Sequence, residues 1–407
     1  MKEIELIITA LSPLAIGLKK PGSVSEAGDY IPGSVMRGAM ASKMIQQSNL
    51  QNPDLTANGG DFQTLFLSEN PAIFRNAYPA SSDSEAEVKV LPATALSSKT
   101  NPGFKPKGYG VFDSLIDRFC ADSYGHPYDP NCPKDGGRVE PYTGFYSQKK
   151  DKKYKSHSVS KRLLTRVGIN RSRATAEEQI LYSIEVLNET QEKKPVVYRS
   201  SIIVEDDNLA DLLTGFINNN TKNFRLGGSA SRGLGRVEII TKELVDAKID
   251  VSDRIAKFTD ALRKRWEKWQ ILGNPLEELP GDRTYFTLDL QSDAILTENW
   301  RRTTVISEAM LQQFAAVEDS SLKLEAAYSS YDYKSGWNAA WGLMKDVELI
   351  TNKGGVYLFS TTEDKNKVWI EALEKLERKG VGDRTCEGFG QIQVCNDFHL
   401  VFREDAV

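Results

Sequence analysis

The sequence contains few of the residues that mark a disulfide scaffold, a metal centre or a membrane span. Only four cysteines and three histidines occur in 407 residues. Four cysteines in a chain of this length do not form a disulfide framework, so a reducing cytoplasm is the expected location. The sequence has no long apolar run, and its first residues lead into a predicted strand rather than a signal peptide. We therefore expect a soluble cytoplasmic protein with no membrane partner.

An overall excess of positive charge is also missing. Lys and Arg number 52 against 56 Asp and Glu, which gives a formal net charge of −4. A nucleic-acid-binding protein with this balance needs a local basic patch. The chain is 40% hydrophobic and 27% charged, as is ordinary for globular proteins, and its length predicts two or three domains.

Residues 226–239 combine a glycine-rich loop, two arginines and the start of a predicted strand. Its glycines and arginines are Gly227, Gly228, Arg232, Gly233, Gly235 and Arg236. Glycine accepts positive φ and allows close approach of a partner. Exposed amides beside arginines suit a phosphate-bearing ligand. A glycine-rich turn before a strand is also common for purely local reasons, so the loop alone leaves ligand binding open.

A strand over residues 3–11 and an amphipathic helix are predicted near the N-terminus. Ser34 is the expected N-cap of that helix, after a Pro-Gly turn. Gly38 inside the helix costs about 1 kcal/mol relative to alanine, which suggests close packing at this position. Arg37 lies one turn from the positive helix N-terminus and is a candidate to face an anion.

Residues from about 46 to 175 read as a large irregular and basic insertion. Cys120, His126 and Cys132 suggest part of a zinc module, but Asp135 stands where the second cysteine of a C-x-x-C pair belongs. Structural zinc normally takes four Cys or His ligands, so we predict no metal here and keep zinc as the alternative.

The end of this insertion is strongly basic. Its cations are Lys149, Lys150, Lys152, Lys153, Lys155, Lys161, Arg162, Arg166, Arg171 and Arg173, and the one acid among them is Asp151. Tyr146, Tyr154 and His157 are interleaved, and rings among cations favour single-stranded nucleic acid. A solvated face or a mobile loop is the alternative. Residues 180–187 and 196–204 are predicted to pair as strands beyond it, followed by a helix capped by Asp206 or Asp207.

The second half of the chain repeats the first. A predicted helix over residues 251–272 and a linker over 274–282 precede a strand over 283–291, and a helix over 368–379 leads into the loop 382–394. Laid ungapped on 227–239, that loop matches its glycines 382, 388 and 390 to Gly227, Gly233 and Gly235. Arg232 and Arg236 correspond to Glu387 and Gln391, so we expect anion binding at the first loop and a structural role for the second.

The two repeats resemble the RAMP superfamily of CRISPR-associated RNA-binding proteins. The resemblance is most specific at residues 30–39 (Tyr-Ile-Pro-Gly-Ser-Val-Met-Arg-Gly-Ala), at 166–171 leading to Leu181 and Tyr182, and at 227–235. Together with Phe-Lys-Pro-Lys-Gly at 104–108, the whole chain is similar to the Csx-ten family of type III-D CRISPR effector complexes. This resemblance implies an α+β fold of two ferredoxin-like (RRM-like) units, 1–245 and 283–407, joined by a linking helix and linker over 246–282.

The resemblance also implies a non-catalytic, cofactor-free subunit that holds the five-prime tag of the guide RNA. Its implied partners are the large polymerase-like subunit and the backbone RAMP subunits, with target RNA as a further partner. The residues assigned to RNA on this hypothesis are Arg37, Lys161, Arg162, Arg166, Arg171, Gly227, Gly228, Ser229, Ser231, Arg232, Gly233, Gly235 and Arg236. Candidates for protein contacts are Trp300, Arg301, Arg302, Trp337 and Trp341, although core packing explains the tryptophans equally well.

The alternative is an endoribonuclease. An aspartate in the loop before the Ile-Pro-Gly-Ser helix supports metal-dependent RNA cutting in RAMP backbone subunits, and Asp29 lies in that loop, immediately before Tyr30. RAMP processing nucleases often use histidine, and His157 is the one histidine within the basic patch. A turn-forming role for Asp29 and a polar surface role for His157 are the simpler interpretations.

Overall fold

The computed structural model describes residues 1–17, 24–48, 60–81, 86–148, 153–170, 175–242, 250–338 and 342–407, and these form an α+β fold. Up to the first glycine loop the elements are β1 (Lys2–Ala10), β2 (Val24–Ser25), α1 (Gly33–Gln47), α2 (Asp61–Phe66), β3 (Ile73–Phe74), β4 (Tyr78–Ala80), β5 (Lys89–Val90), β6 (Ala95–Ser98), β7 (Val111–Asp113), α3 (Leu115–Ser123), β8 (Val139–Pro141), β9 (Phe145–Gln148), β10 (Tyr154–His157), β11 (Lys161–Asn170), β12 (Thr175–Leu187), β13 (Thr190–Gln191), β14 (Lys194–Pro195), β15 (Val197–Val204) and α4 (Asp207–Asn219). After it come β16 (Val237–Thr241), α5 (Val251–Trp269), β17 (Arg283–Leu290), β18 (Leu296–Glu298), β19 (Arg301–Thr303), α6 (Glu308–Ala315), β20 (Lys323–Tyr328), β21 (Tyr331–Lys334), β22 (Trp337–Asn338), β23 (Leu343–Met344), β24 (Glu348–Thr351), β25 (Val356–Thr362), α7 (Asn366–Lys379) and β26 (Ile392–Val394).

The first unit is a sheet in the order β16-β1-β15-β3, with β4 also paired to β15. Alternating residues of β1, namely Ile4, Leu6 and Ile8, are fully buried. They share a core with Met36 and Met40 of α1 and with apolar residues of α4. Because strand side chains alternate between faces, this places both helices on one face of the sheet.

The second unit repeats this strand order as β26-β17-β25-β20. Its first strand also pairs with its last in the same register: Ile8 lies opposite Ile239 in the first unit, and Leu288 lies opposite Val394 in the second. In both units helices lie between the first strand of the sheet and the next one along the chain, α1 and α2 before β3 and α6 before β20, and another helix precedes the last strand. The two sheets therefore share one strand order, as the repeat in the sequence predicts.

The predicted linking helix belongs to the core of the second unit. Almost every residue of β17 is buried, on both faces of the strand. One face packs on α6 and α7, where Phe286 lies 5.9 Å from Trp369 between ring centres. The other face is covered by α5, whose Thr259 side chain exchanges hydrogen bonds with the backbone of Tyr285. None of the helices in the described ranges is long and apolar enough to cross a membrane.

The insertion is more regular than predicted, since strands β5 to β12 and helix α3 lie within or across its predicted limits. Leu115, Ile116 and Cys120 of α3 pack into the core of the second unit. A separate cluster joins Phe104 and Phe112 to Phe398 near the end of the chain. The insertion therefore covers the second unit, although it arises from the first.

Two local predictions are wrong. Helix α1 begins at Gly33, with Pro32 as N-cap and no side-chain cap, so Ser34 lies inside the first turn. The strand predicted over 180–187 is the end of β12, which pairs with β11, whereas β15 pairs with β1. By contrast, the predicted cap at Asp206 is confirmed, because its carboxylate accepts hydrogen bonds from the backbone N–H groups of Asn208 and Leu209.

Candidate nucleic-acid interface

The first glycine loop has a fixed shape that depends on its glycines. Its centre is the 3-10 turn Ala230–Arg232, flanked by left-handed residues at Ser229 and Gly233. A Cβ atom at Gly227 would lie 2.5 Å from the carbonyl oxygen of Ala15, and one at Gly235 would lie 2.6 Å from that of Leu226. Both positions also have positive φ, so only glycine fits them without strain.

The second loop has the same backbone. Its 3-10 turn Thr385–Glu387 is flanked by left-handed residues at Arg384 and Gly388, which are the ungapped counterparts of Ser229 and Gly233. In each unit the loop also donates a hydrogen bond to the segment that follows the first strand, and these two hydrogen bonds correspond. The backbone N–H of Gly228 donates to Ala15 at 2.8 Å and that of Asp383 donates to Ile295 at 2.9 Å. The glycine pattern therefore belongs to the architecture of both units.

The surroundings of the two loops differ. The second loop is packed against the first unit: a Cβ atom at Gly388 would lie 2.6 Å from the Asn76 side chain, which donates a hydrogen bond to the Gly388 carbonyl. Its Glu387 is paired with Lys345 and Arg384. Around Gly233 of the first loop there is open space instead, and Arg232 is exposed. The first loop is the accessible copy.

Arg232 of the open loop forms a cluster with Arg166 and Tyr182 of the hairpin β11–β12. Arg166 and Tyr182 are directly opposite each other in that hairpin. The guanidinium of Arg232 lies over the Tyr182 ring at 5.5 Å from its centre and donates to its hydroxyl. Arg166 donates to the backbone carbonyl of Arg232 at 3.3 Å. The loop and the hairpin thus form one surface. Arg166 and Arg232 were predicted from the sequence to bind RNA, but Tyr182 was not.

The remaining loop residues assigned to RNA are placed as follows. Arg236 is exposed, while its backbone N–H donates to the Ser12 hydroxyl at 2.8 Å and its carbonyl accepts from Leu11. Ser231 is exposed and Ser229 is half-buried at the start of the 3-10 turn. The backbone of the loop is therefore fixed, and Arg236 and Ser231 are exposed on it.

Comparison with known proteins identifies the family, since the profile of the RAMP superfamily matches residues 7–238. The chain belongs to the RAMP superfamily. The matched region runs from β1 into β16 and includes the open glycine loop. No curated protein matches the chain.

Among solved structures, the chain is similar to a chain in the "Cryo-EM structure of the Type III-B Cmr-beta bound to cognate target RNA and AMPPnP, state 1", with 13% identity, 87% of this chain and 86% of that chain covered, and a TM-score of 0.42. It is also similar to a chain in the "Type III-B Cmr-beta Cryo-EM structure of the Apo state", with 12% identity, 60% and 98% covered, and a TM-score of 0.29. At these scores the likenesses carry no argument about function.

Two further cations of this RAMP chain lie at the base of the hairpin and are already paired. Lys161 forms an ion pair with Asp29 at 2.6 Å and donates to the carbonyl of Ala27. Arg162 donates to Asn188 at 2.9 Å and pairs with Glu189. Asp29 is therefore held by Lys161. Arg171 lies outside the described residues, as do Lys149, Lys150, Lys152 and Arg173 of the predicted basic patch.

Arg37 is placed at the junction of the two units rather than beside the open loop. Its guanidinium donates to the carbonyl of Phe66 and lies 5.7 Å from the centre of that ring. Gly38 is exposed with open space around it, so the predicted close packing there is wrong. The tightly packed glycine of α1 is Gly33, where a Cβ atom would lie 1.9 Å from the carbonyl oxygen of Phe74.

The histidine proposed for RNA processing is buried. The His157 ring shares a hydrogen bond of 2.8 Å with the Ser147 hydroxyl. Burial, together with the positive charge of Lys155, lowers the pKa of His157 to about 4. The interpretation of His157 as a polar surface residue is therefore wrong.

Two of the three residues considered for the zinc alternative, Cys120 and Cys132, have different surroundings. Cys120 packs in the core of the second unit, where burial raises the pKa of its thiol to about 12. Cys132 is buried elsewhere, with its thiol hydrogen-bonded to Asp135. Within the described ranges no group of three or more His, Cys, Asp or Glu side chains is arranged to hold a metal ion.

Proposed function

We propose that this RAMP chain is a non-catalytic RNA-binding subunit of a type III CRISPR effector ribonucleoprotein. On this proposal each unit is ferredoxin-like, and the open glycine loop holds the five-prime tag of the guide RNA. The large polymerase-like subunit and the backbone RAMP subunits are the proposed protein partners.

One observation carries the proposal: two loops share a backbone, but the first is open and carries two exposed arginines, whereas the second is packed against the first unit. Membership of the RAMP superfamily agrees with an RNA ligand. In the covered loop, Glu387 and Gln391 replace Arg232 and Arg236. The arginines therefore are not required by the loop's shape, and RNA binding accounts for them.

The geometry suits a phosphodiester backbone. A guanidinium has five N–H donors, and the hydrogen bond of Arg232 to Tyr182 uses only one of its nitrogens. Stacking on Tyr182 fixes the guanidinium plane, so less rotamer entropy is lost when phosphate oxygens bind to it. Contacts of this kind position an RNA strand without reading its sequence.

The decisive experiment compares RNA affinity over a range of salt concentrations. The double variant Arg232→Ala, Arg236→Ala is titrated with labelled single-stranded RNA that carries the guide tag, between 50 and 300 mM salt. The loss of two phosphate contacts should lower the affinity about tenfold or more at low salt and reduce the slope of log affinity against log salt by about 1.4.

The matched control removes the same charge from helix α5. Lys257 and Lys264 are exposed and form pairs with acids one turn away on that helix. The variant Lys257→Ala, Lys264→Ala should bind RNA as the unaltered protein does. Equal affinities and slopes for all three proteins would contradict the proposal.

The enzyme alternative is tested with the same RNA, supplemented with a complementary target strand and magnesium. Asp29 is engaged by Lys161, so we expect no cleavage by the protein. Magnesium-dependent cleavage that disappears in Asp29→Ala would overturn the non-catalytic assignment.

A further inference from the structure

The second unit presents one aromatic side chain almost completely to solvent. Trp300 is 99% exposed, at the tip of the hairpin β18–β19. Core packing, an explanation that the sequence had left open, is therefore excluded for this tryptophan. The paired residues Glu298 and Arg301 leave only Asn299 and Trp300 in the hairpin loop.

The loop holds Trp300 in a backbone conformation that tryptophan rarely adopts. Asn299 has φ 48° and Trp300 has φ 63°, so both central residues are left-handed. Two-residue hairpin loops of this kind normally use Asn-Gly, because glycine has no Cβ to oppose positive φ. A bulky ring at the glycine position is unfavourable for folding, and such strain in native proteins clusters at functional positions.

The hairpin that carries this ring is rigidly supported. Arg302 binds Asp383 at 2.6 Å and Glu348 at 2.7 Å. It thereby ties the hairpin to the second glycine loop and to strand β24. Arg302 thus binds both carboxylates, while Arg301 next to the tryptophan is exposed. The hairpin thus holds the backbone of Trp300 in place and presents its indole to solvent beside an accessible guanidinium.

The hairpin holds a position in the second unit that corresponds to the surroundings of the open loop in the first unit. It leaves the second unit where Ile295 bridges to Asp383, and the corresponding bridge in the first unit joins Ala15 to Gly228. The Trp300 hairpin therefore lies just after the first strand of the second unit and beside the glycine loop of that unit. The corresponding segment of the first unit lies beside the open loop. The inference that follows rests on the proposed function.

We propose that Trp300 is a stacking site for an unpaired nucleobase of the bound RNA, with Arg301 contacting an adjacent phosphate. A single protruding ring with polar neighbours suits a base face, whereas an anchor in a protein interface is normally surrounded by further apolar contacts. Stacking tolerates every base, so the site adds affinity without sequence specificity.

The experiment uses the full-length protein and single-stranded RNA with 5-iodouridine placed in turn at each position. Long-wavelength irradiation should cross-link one or two positions to Trp300, as identified by peptide mass spectrometry. In titrations, Trp300→Ala should weaken binding about fivefold or more with an unchanged salt slope, because stacking releases no counterions. Trp300→Phe should retain most of the affinity, and Arg301→Ala should reduce the slope by about 0.7.

The exposed ring of Tyr331 provides the matched control, and Tyr331→Ala should leave binding unchanged. Full affinity of Trp300→Ala, combined with weak binding by the Arg232 and Arg236 double variant, would overturn the stacking site and leave the proposed function intact. Full affinity of both variants would overturn the proposed function as well. Loss of assembly with other effector subunits by Trp300→Ala, at unchanged RNA affinity, would overturn the stacking site and assign Trp300 to a protein interface.

Discussion

At the residue scale, two of the three histidines lie in opposite electrostatic environments. His399 is fully buried between two carboxylates, with Nε2 at 2.6 Å from Asp289 and Nδ1 at 3.1 Å from Asp113. Burial alone would lower its pKa, but the two carboxylates raise it to about 10. Among the described residues no carboxylate pairs with His157, and burial lowers its pKa to about 4.

We therefore predict two anomalous histidine titrations. In nitrogen-detected NMR spectra one imidazole should stay charged to about pH 10, and another should stay neutral down to about pH 4. Only three histidines are present, so the variants His157→Gln and His126→Gln assign the signals. A signal of His399 that titrates near pH 6.5 would contradict the buried charged triad.

The same shifts predict how stability depends on pH. The folded-state pKa of His399 is raised, so its stabilisation is fully present below pH 6.5 and is lost as the pH rises towards 10. The loss between pH 7 and 9 should be on the order of 2 kcal/mol in urea denaturation. The pKa of His157 is lowered, so its contribution is present above pH 6.5 and is lost as the pH falls towards 4. Asp113→Asn should move the alkaline loss to lower pH.

At the scale of one element, helix α1 contains two glycines with different environments. Gly38 is exposed in the helix interior, with nothing near its missing Cβ. Gly33 begins the helix at the junction of the units, and its backbone N–H donates to Asn76 at 2.8 Å. The sequence indicates a helix here but not which glycine is confined, because Phe74 and Glu387 approach Gly33 from distant parts of the chain.

We predict opposite effects for alanine at these two positions. Gly38→Ala should stabilise the protein by about 0.5–1 kcal/mol, since alanine has the higher helix propensity and space is available. Gly33→Ala should destabilise it by about 1–3 kcal/mol, because backbone atoms of Phe74 and Glu387 must move. Thermal denaturation of both variants measures this. Similar melting temperatures for the two variants would contradict the packing at the junction.

Sequence patterns predicted the helices and strands better than they predicted which strands pair. The strand alternation of β1, the stop of the helix region at Gly273 and the cap at Asp206 are local signals, and the structure contains all three features. The pairing of β15 with β1, rather than with β12, joins distant parts of the chain and has no local signal. Tyr182 was missed as part of the site because its strand was predicted to pair with the wrong neighbour. Once the register of the hairpin was known, the position of Tyr182 opposite Arg166 would have indicated that it belongs to the site.

At the scale of the whole molecule, the two units are joined by a shared core as well as by the chain. Helices α3 and α5, which precede the predicted linker, pack against the sheet that follows it. Tyr30 of the first unit donates to the buried Asp293 of the second, which Lys334 also contacts at 3.0 Å. The ungapped match of the glycine loops predicted the duplication. It could not predict that the insertion of one unit covers the sheet of the other.

We predict that cutting the predicted linker leaves the molecule intact. Glu277 and Glu278 are exposed, so a protease site inserted between them can be cleaved in the folded protein. The two fragments should elute together at the size of the uncut chain in gel filtration and separate only in denaturant. The physical reason is that Phe258 on one side of the cut is buried in a core formed largely by the other side.

Variants of the cut protein test this reason directly. Phe258→Ala removes about 3–5 kcal/mol of core packing and should let the fragments separate at micromolar concentration. Leu212→Ala, on the exposed surface of α4, should leave them together. Separate elution of the fragments without any substitution would mean that the two units fold independently, and would contradict the shared core.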